Sequence, residues 1–124
     1  TIIRTRGGAL TIGSGCDVGC NCMLATDATL TLGSKVLVGA YSYLVGGGNH
    51  EYRDASIPII DQPILSEGGI TVGDDVWIGT RVTVMDGVTV GSGAVIGAHS
   101  LVRHDLPEKT IAYGQPATAH GSRS

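Results

Sequence analysis

Aliphatic residues recur at every sixth position along most of this chain. They fall into four groups of three: Ile12, Val18, Leu24; Leu32, Val38, Leu44; Val72, Ile78, Val84; and Val90, Ile96, Val102. The residue after each of these anchors is Gly in the first two members of a group and another residue in the third. A pattern that distinguishes every third hexapeptide defines a unit of eighteen residues, so it predicts three short strands per unit.

Three strands joined by three corners make one triangular coil whose anchors face its axis. Successive coils would stack at about 4.8 Å, the spacing of hydrogen-bonded strands. We therefore predict an all-β fold, a parallel β-solenoid of at least four coils in one domain over 1–124, with coils at about 10–45 and 70–105 and a C-terminal tail at 106–124. The glycine after an anchor is expected to supply the positive φ that a corner requires.

Two interruptions of the repeat fall at the same corner. The step from Leu24 to Leu32 is eight residues and the step from Leu44 to Val72 is twenty-eight, where the repeat would have six. Both insertions should leave from one edge of the prism, and insertions gathered on one side of a solenoid commonly mark its binding face. The longer insertion is a projecting loop at about 46–69, and the three glycines that precede its His50 suit a backbone that bends close to a ligand.

The apolar content of this loop is too high for a plain solvent loop. We expect its aliphatic side chains to pack on a neighbouring subunit, to close over the site, or to pack against their own coil, and the sequence does not choose among these. The residues concerned are Ile57, Ile59, Ile60, Ile64 and Leu65.

Composition narrows the classes of partner. The 124 residues include 20 glycines and no Phe, with a formal net charge of −3. The scattered Lys and Arg residues form no basic stripe for nucleic acid, no apolar run is long enough to span a bilayer, and no signal peptide is evident. We expect a cytoplasmic protein without a nucleic-acid partner or membrane insertion. The final Gly-Ser-Arg-Ser is left out of the fold prediction.

The three cysteines in Cys-Asp-Val-Gly-Cys-Asn-Cys suggest a metal or redox site at first sight. Cys16 and Cys22, however, each follow an anchor by four positions, a slot that small aliphatic residues such as Val36 and Val76 fill in other coils. We interpret them as buried small hydrophobic residues, because no second pair completes a four-ligand zinc set. No metal is therefore expected.

Longer motifs make a family resemblance specific. Asn-His-Glu-Tyr-Arg-Asp at 49–54, Val-Trp-Ile-Gly at 76–79 and Gly-Gln-Pro-Ala at 114–117 resemble the hexapeptide-repeat acyltransferases. The similar branch contains the sugar and xenobiotic O-acetyltransferases, including the maltose, galactoside and capsular or colanic acid acetyltransferases. The resemblance implies a left-handed parallel β-helix, acetyl-CoA as co-substrate, a sugar or glycan-like acceptor, and a homotrimer with active sites between adjacent prisms.

Acetyl transfer from a thioester to a hydroxyl requires a base for the hydroxyl proton and donors for the developing oxyanion. A neutral imidazole suits the first task, and the resemblance assigns it to His50. Glu51 or Asp54 could orient the second ring nitrogen, and the sequence leaves both open. Residues close to His50 in the sequence are candidate acceptor contacts: Tyr41, Tyr43, Asn49, Glu51 and Asp54.

The resemblance also implies a donor site at the late coils. Backbone amides that follow the Ile-Gly corners would hold the pantetheine arm at Thr80 and Ala98, and Trp77 should point outward beside them. Basic residues near the last coil would meet the coenzyme phosphates. Relatives often have Thr-Lys-Asp where this chain has Arg103, His104 and Asp105, so Arg103 and His104 are the candidates at this coil, and Lys109 is an additional one.

Two other functions are open. Zinc carbonic anhydrases of the γ type share this architecture and use two histidines five residues apart, a separation that His99 and His104 have, with His50 as a third ligand. In those enzymes the first histidine follows the Ile-Gly corner directly, whereas Ala98 intervenes here. A non-catalytic scaffold is the other alternative, and it predicts no coenzyme binding.

Overall fold

In the computed structural model, which describes residues 1–124, the chain has seventeen short strands, and fifteen of them form a three-sided coil. The strands are β1 (Ile2–Thr5), β2 (Ala9–Ile12), β3 (Asp17–Val18), β4 (Met23–Thr26), β5 (Thr29–Leu32), β6 (Leu37–Val38), β7 (Tyr43–Gly46), β8 (Asn49–His50), β9 (Ile64–Leu65), β10 (Ile70–Val72), β11 (Trp77–Ile78), β12 (Thr83–Met85), β13 (Thr89–Val90), β14 (Val95–Ile96), β15 (Leu101–Val102), β16 (Thr110–Gly114) and β17 (Ala117–Ser122). A 3-10 helix at Ile59–Asp61 is the only helical segment.

The strands form three flat faces. Sheet A has the order β1-β4-β7-β12-β15, sheet B the order β13-β10-β5-β2, and sheet C the order β17-β16-β14-β11-β6-β3. All neighbours are parallel except β16 and β17. The chain visits sheets B, C and A in turn through four complete coils, β2 to β4, β5 to β7, β10 to β12 and β13 to β15. The predicted solenoid is confirmed.

The core consists of anchors stacked in register. Leu24, Leu44 and Val84 are aligned on neighbouring strands of sheet A, and all three are at most 1% exposed. Two anchors of the first coil depart from the predicted pattern, because Ile12 remains 41% exposed and Val18 is only partly buried. Ile12 lies on β2, the edge strand of sheet B, where only one side has a neighbouring coil. Periodicity therefore predicts the inward direction of a side chain but not how completely a terminal coil covers it.

The cysteine interpretation is confirmed for Cys22, which is buried in the core, while Cys16 is only partly buried and packs against it. The Cys22 thiol donates to the carbonyl of Gly39 at 3.2 Å, and that of Cys16 donates to Gly33 at 3.1 Å. All three cysteines are free.

The predicted reason for the repeat glycines is wrong. The positive φ values at the corner between sheets C and A belong to other residue types: Asn21, Tyr41, Arg81 and His99. Gly39, one of the anchor-following glycines, is required for space instead. A Cβ atom built on it would lie 2.5 Å from the backbone nitrogen of Thr80 in the next coil. The glycine allows two coils to approach to hydrogen-bonding distance, which sequence periodicity cannot reveal.

Gly39→Ala is therefore expected to destabilise the fold by about 1–3 kcal/mol, as overpacking does in well-packed interiors. Denaturant unfolding would measure the change in the free energy of unfolding. Gly121→Ala is the matched control, because a Cβ atom there would meet nothing within 4 Å. Equal stability of the two variants would contradict the close-approach explanation.

Both insertions leave from the corner between sheets A and B, as predicted. The short insertion is Asp27 and Ala28, between β4 and β5, and the long one extends from Gly47 to Gly69, between β7 and β10. The long insertion, hereafter the His50 loop, contains the antiparallel pair β8 and β9 and the 3-10 helix.

The segment 106–124, expected as a tail, extends the coil. Strand β16 adds a parallel strand to sheet C beside β14, and β17 folds back on it. Arg123, in the terminal stretch left out of the prediction, pairs with Asp75 at 3.0 Å. None of the chain's helical structure has the length and apolar character needed to cross a membrane.

Candidate active site

Two carboxylates attach the His50 loop to the prism. At its start, Asp27 accepts a hydrogen bond from the backbone N–H of Gly48 at 3.2 Å. At its end, Asp86, only 9% exposed, accepts from the N–H groups of Glu67 at 2.8 Å and Gly69 at 2.7 Å. Neither aspartate was predicted from the sequence, because each accepts hydrogen bonds from backbone groups at least 17 residues away along the chain.

Asp86→Ala would leave two loop amides without their charged acceptor. Because hydrogen bonds to charged groups contribute about 1.5–3 kcal/mol each, we expect a lower melting temperature and faster proteolytic cleavage within 47–69. Asp17→Ala, at an exposed carboxylate of β3 with no side-chain hydrogen bond, is the control. Unchanged cleavage of the loop in Asp86→Ala would show that the clamp is dispensable.

His50 lies on the short hairpin of the loop. It is opposite Ile64, and Asn49 is opposite Leu65, in the β8–β9 pair. The N–H of Glu51 continues the ladder by donating to the carbonyl of Pro63 at 2.9 Å. The side chain of His50 is half-buried, and its Nδ1 is buried without a hydrogen-bond partner.

Neither carboxylate proposed to orient His50 contacts it by a hydrogen bond. Glu51 instead accepts two bonds of 2.7 Å from the guanidinium of Arg53, which lowers the pKa of Glu51 to about 2. Asp54 accepts from the hydroxyl of Ser56 at 2.6 Å and from its backbone N–H at 2.9 Å, and these bonds lower the pKa of Asp54. Both side chains are therefore anions with local partners, and neither orients His50 by a hydrogen bond in this structure.

Tyr41 and Tyr43 lie at the opposite side of sheet A from the loop, at the corner where sheet C meets sheet A. Both side chains point outward and are nearly half exposed. They line a cavity of about 260 Å³ together with Asn21 and Met23. The guanidinium carbon of Arg81 is 4.7 Å from the centre of the Tyr41 ring. Within one chain, the two tyrosines are therefore not brought to His50.

The predicted donor residues Trp77, Thr80 and Ala98 do come together. They line a mainly apolar cavity of about 440 Å³ along the same corner between sheets C and A, with Trp77 54% exposed as expected. The backbone N–H groups of Thr80 and Ala98 donate to no group of the chain. The corner therefore offers two unpaired amide donors beside an apolar surface.

The basic candidates are spread over the other two edges. Arg103 and His104 follow β15 at the corner between sheets A and B, the edge that carries the His50 loop. Lys109 lies at the corner between sheets B and C, near Arg123. His99 and His104 are on different edges, and no group of three or more His, Cys, Asp or Glu side chains in the chain could hold a metal ion.

The aliphatic residues of the loop are not buried by their own coil. Their exposed fractions range from 39% for Leu65 to 83% for Ile60. Of the three expectations for these side chains, packing on the own coil is wrong. Packing on a neighbouring subunit or over the site stays a prediction.

Comparison with known proteins adds to this geometry. Residues 69–104 match the family model described as bacterial transferase hexapeptide (six repeats). The chain is 35% identical over 115 residues to a probable acetyltransferase of Mycobacterium tuberculosis, covering 93% of this chain and 38% of that protein. It is 34% identical over 108 residues to the putative colanic acid biosynthesis acetyltransferase WcaF of Escherichia coli, covering 87% and 56%.

Solved structures give the same result. The polySia-specific acetyltransferase NeuO superposes with a TM-score of 0.82 at 28% identity, covering 94% of this chain and 49% of that one. A galactoside acetyltransferase in complex with coenzyme A superposes with a TM-score of 0.75 at 26% identity, covering 94% and 66%.

Fold and similarity together define the class as a left-handed parallel β-helix. The chain belongs to the hexapeptide-repeat transferase family. It spans between 38% and 56% of the length of the two curated relatives named above.

Proposed function

We propose that this protein is an acetyl-CoA-dependent O-acetyltransferase that acts on a hydroxyl of a sugar or glycan-like acceptor. The observation that carries the proposal is the apolar cavity at Trp77, with the unpaired amide donors of Thr80 and Ala98 at its edge. A pantetheine arm consists of amide groups separated by short alkyl segments, so it needs hydrogen-bond donors beside an apolar wall. The coenzyme A complex of the similar galactoside acetyltransferase supports this assignment.

His50 acts as the general base in this proposal. Its Nε2 removes the proton of the acceptor hydroxyl while the oxygen attacks the thioester carbonyl. The tetrahedral intermediate then collapses, the carbon–sulfur bond breaks, and the coenzyme thiolate leaves and recovers the proton from the imidazolium. The acetyl group ends as an ester on the acceptor, and no covalent enzyme intermediate is required.

A second copy of the chain completes the site. The His50 loop leaves one edge of the prism and the donor cavity lies on another, with sheet A between them. The strands of sheet A contain at most four residues, which span about 13 Å at the rise of an extended strand. We propose a homotrimer in which the loop of one subunit faces the donor cavity of the next.

This arrangement gives roles to other predicted residues. Arg103 and His104 share the edge of the loop, so they would approach the coenzyme phosphates from the subunit that supplies His50. Tyr41 and Tyr43 share the edge of the donor cavity and would contact the acceptor together with Asn49. The exposed isoleucines of the loop would be covered by the adjacent subunit.

The experiment is a screen of coenzyme A release from acetyl-CoA against free sugars, nucleotide sugars and oligosaccharides. We expect turnover with a hydroxyl acceptor and a product whose acetyl group mild base removes, as for an ester and not for an amide. A base-stable product would establish N-acetylation. Absence of both turnover and acetyl-CoA binding would favour the scaffold alternative.

A further inference from the structure

Two buried side-chain atoms of this chain lack a hydrogen-bond partner, and both belong to the His50 loop. They are Nδ1 of His50 and Oε1 of Gln62. Buried polar atoms without partners are costly and rare in folded proteins, so each such atom calls for an explanation. One of these atoms is able to donate and the other can only accept.

Gln62 is fixed in place by its own amide nitrogen. The residue is 6% exposed, and Nε2 donates to the carbonyl of Asp54 at 3.0 Å and to that of Ile57 at 2.8 Å. Both amide hydrogens are therefore used, and the two carbonyls establish which end of the amide is nitrogen. Oε1 remains as an acceptor held in a defined direction.

The hairpin register places the two residues on one face. His50 is opposite Ile64, and the bond from Glu51 to Pro63 extends the pairing by one residue. Gln62 itself lies in a bend between the 3-10 helix and β9, with extended backbone angles φ −88° and ψ 158°. Extending the hairpin register by one more residue would make residues 50 and 62 diagonal neighbours on the same face, at about 7–8 Å between Cα atoms, within reach of a long side chain.

We propose that Gln62 is the positioning residue of the active site, and that its Oε1 accepts a hydrogen bond from Nδ1–H of His50, directly or through one water molecule. The bond holds the imidazole in the tautomer whose Nε2 is free to accept the acceptor's proton. No such bond is formed in the structure, so the proposal requires the imidazole ring to rotate about its soft χ2 torsion. The inference rests on the proposed function of His50. Glu51 and Asp54 form hydrogen bonds with Arg53 and Ser56 and none with His50 in this structure.

Two substitutions separate this role from anchoring of the loop. Gln62→Lys keeps a donor for the two carbonyls and removes the acceptor, and Gln62→Glu keeps an acceptor and removes the donors. If Gln62 positions His50, Gln62→Lys lowers kcat by about 10- to 100-fold while KM for acetyl-CoA is unchanged, since the imidazolium loses a hydrogen bond. Compared with Gln62→Lys, Gln62→Glu should have a higher kcat but a less stable loop, which limited proteolysis would measure.

A purely structural role predicts the reverse order of kcat. Gln62→Lys would then keep a kcat within about twofold of the unmodified protein, because it still donates to the carbonyls of Asp54 and Ile57. Gln62→Glu would have the lower kcat, because losing these two bonds destabilises the loop that carries His50. That order would overturn the proposal.

The tautomer of His50 provides a measurement that requires neither turnover nor a folded variant of Gln62. Nitrogen-15 spectra of the imidazole ring in the unmodified protein, at a pH where the ring is neutral, should show Nδ1 protonated and Nε2 unprotonated. A His50→Gln variant assigns the signals among the four histidines. Protonation at Nε2 instead would overturn the proposal. A protein that fails to bind or use acetyl-CoA but shows the Nδ1–H tautomer would refute the proposed function and leave the positioning contact in place.

Discussion

Replacing His50 by alanine is expected to lower kcat by about 10²- to 10⁴-fold, the usual contribution of a positioned general base. The Kd for acetyl-CoA should remain close to that of the unmodified protein, because the proposed donor contacts are the apolar wall at Trp77 and the amides of Thr80 and Ala98, which the substitution leaves in place. A fall in kcat without a change in donor binding is the signature of an interaction made in the transition state. Steady-state kinetics and calorimetric titration with acetyl-CoA would measure the two quantities.

His120→Gln is the matched control for this variant. It also removes one imidazole, but His120 is exposed and stacks on Tyr113 in the C-terminal hairpin, with ring centres 3.7 Å apart. Its kcat should equal that of the unmodified protein. Equal turnover of His50→Ala and His120→Gln would remove His50 from the mechanism, and a loss of acetyl-CoA binding in His50→Ala would assign His50 to the donor site.

The periodic part of the fold could be predicted from the sequence because each coil repeats one local rule. Leu44 and Val84 fall in register although the His50 loop separates them, since the loop leaves and returns at the same corner. The outward position of Trp77 follows from the same alternation along a strand. The edge of the prism that carries the loop also follows, because the count of residues between anchors shows where the repeat is interrupted.

The remaining features depend on contacts that residue spacing does not encode. Gly39 is needed because the next coil approaches it, and its environment is known only once the coils are stacked. Asp86 and Gln62 serve backbone groups elsewhere in the loop, so nothing in their own neighbourhood marks them. Glu51 and Asp54 are the reverse case. They lie near His50 in sequence, but Glu51 accepts hydrogen bonds from Arg53 and Asp54 accepts from Ser56. Both carboxylates therefore bond to side chains two residues away and not to the imidazole.

The position of the loop and the donor cavity on separate edges leads to a complementation prediction. Ala98→Trp should block the cavity at an exposed position and prevent acetyl-CoA binding, while His50→Ala removes the base. Each variant alone should be nearly inactive. If adjacent subunits build the site, a mixed oligomer contains interfaces where His50 comes from the blocked subunit and the open cavity comes from the His50→Ala subunit. Random assembly of equal amounts into a closed ring would restore about a quarter of the original activity.

The controls for this experiment follow from the same geometry. A chain that carries both substitutions cannot rescue His50→Ala, because no subunit in that mixture supplies His50, so its activity should stay at the background level. Ala98→Ser should keep acetyl-CoA binding, since it leaves the cavity open. If the co-assembled single variants were no more active than the sum of each alone, the base and the donor cavity would have to act within one chain. The His50 loop would then have to move across sheet A during the reaction, because in the structure the two lie on different edges of the prism.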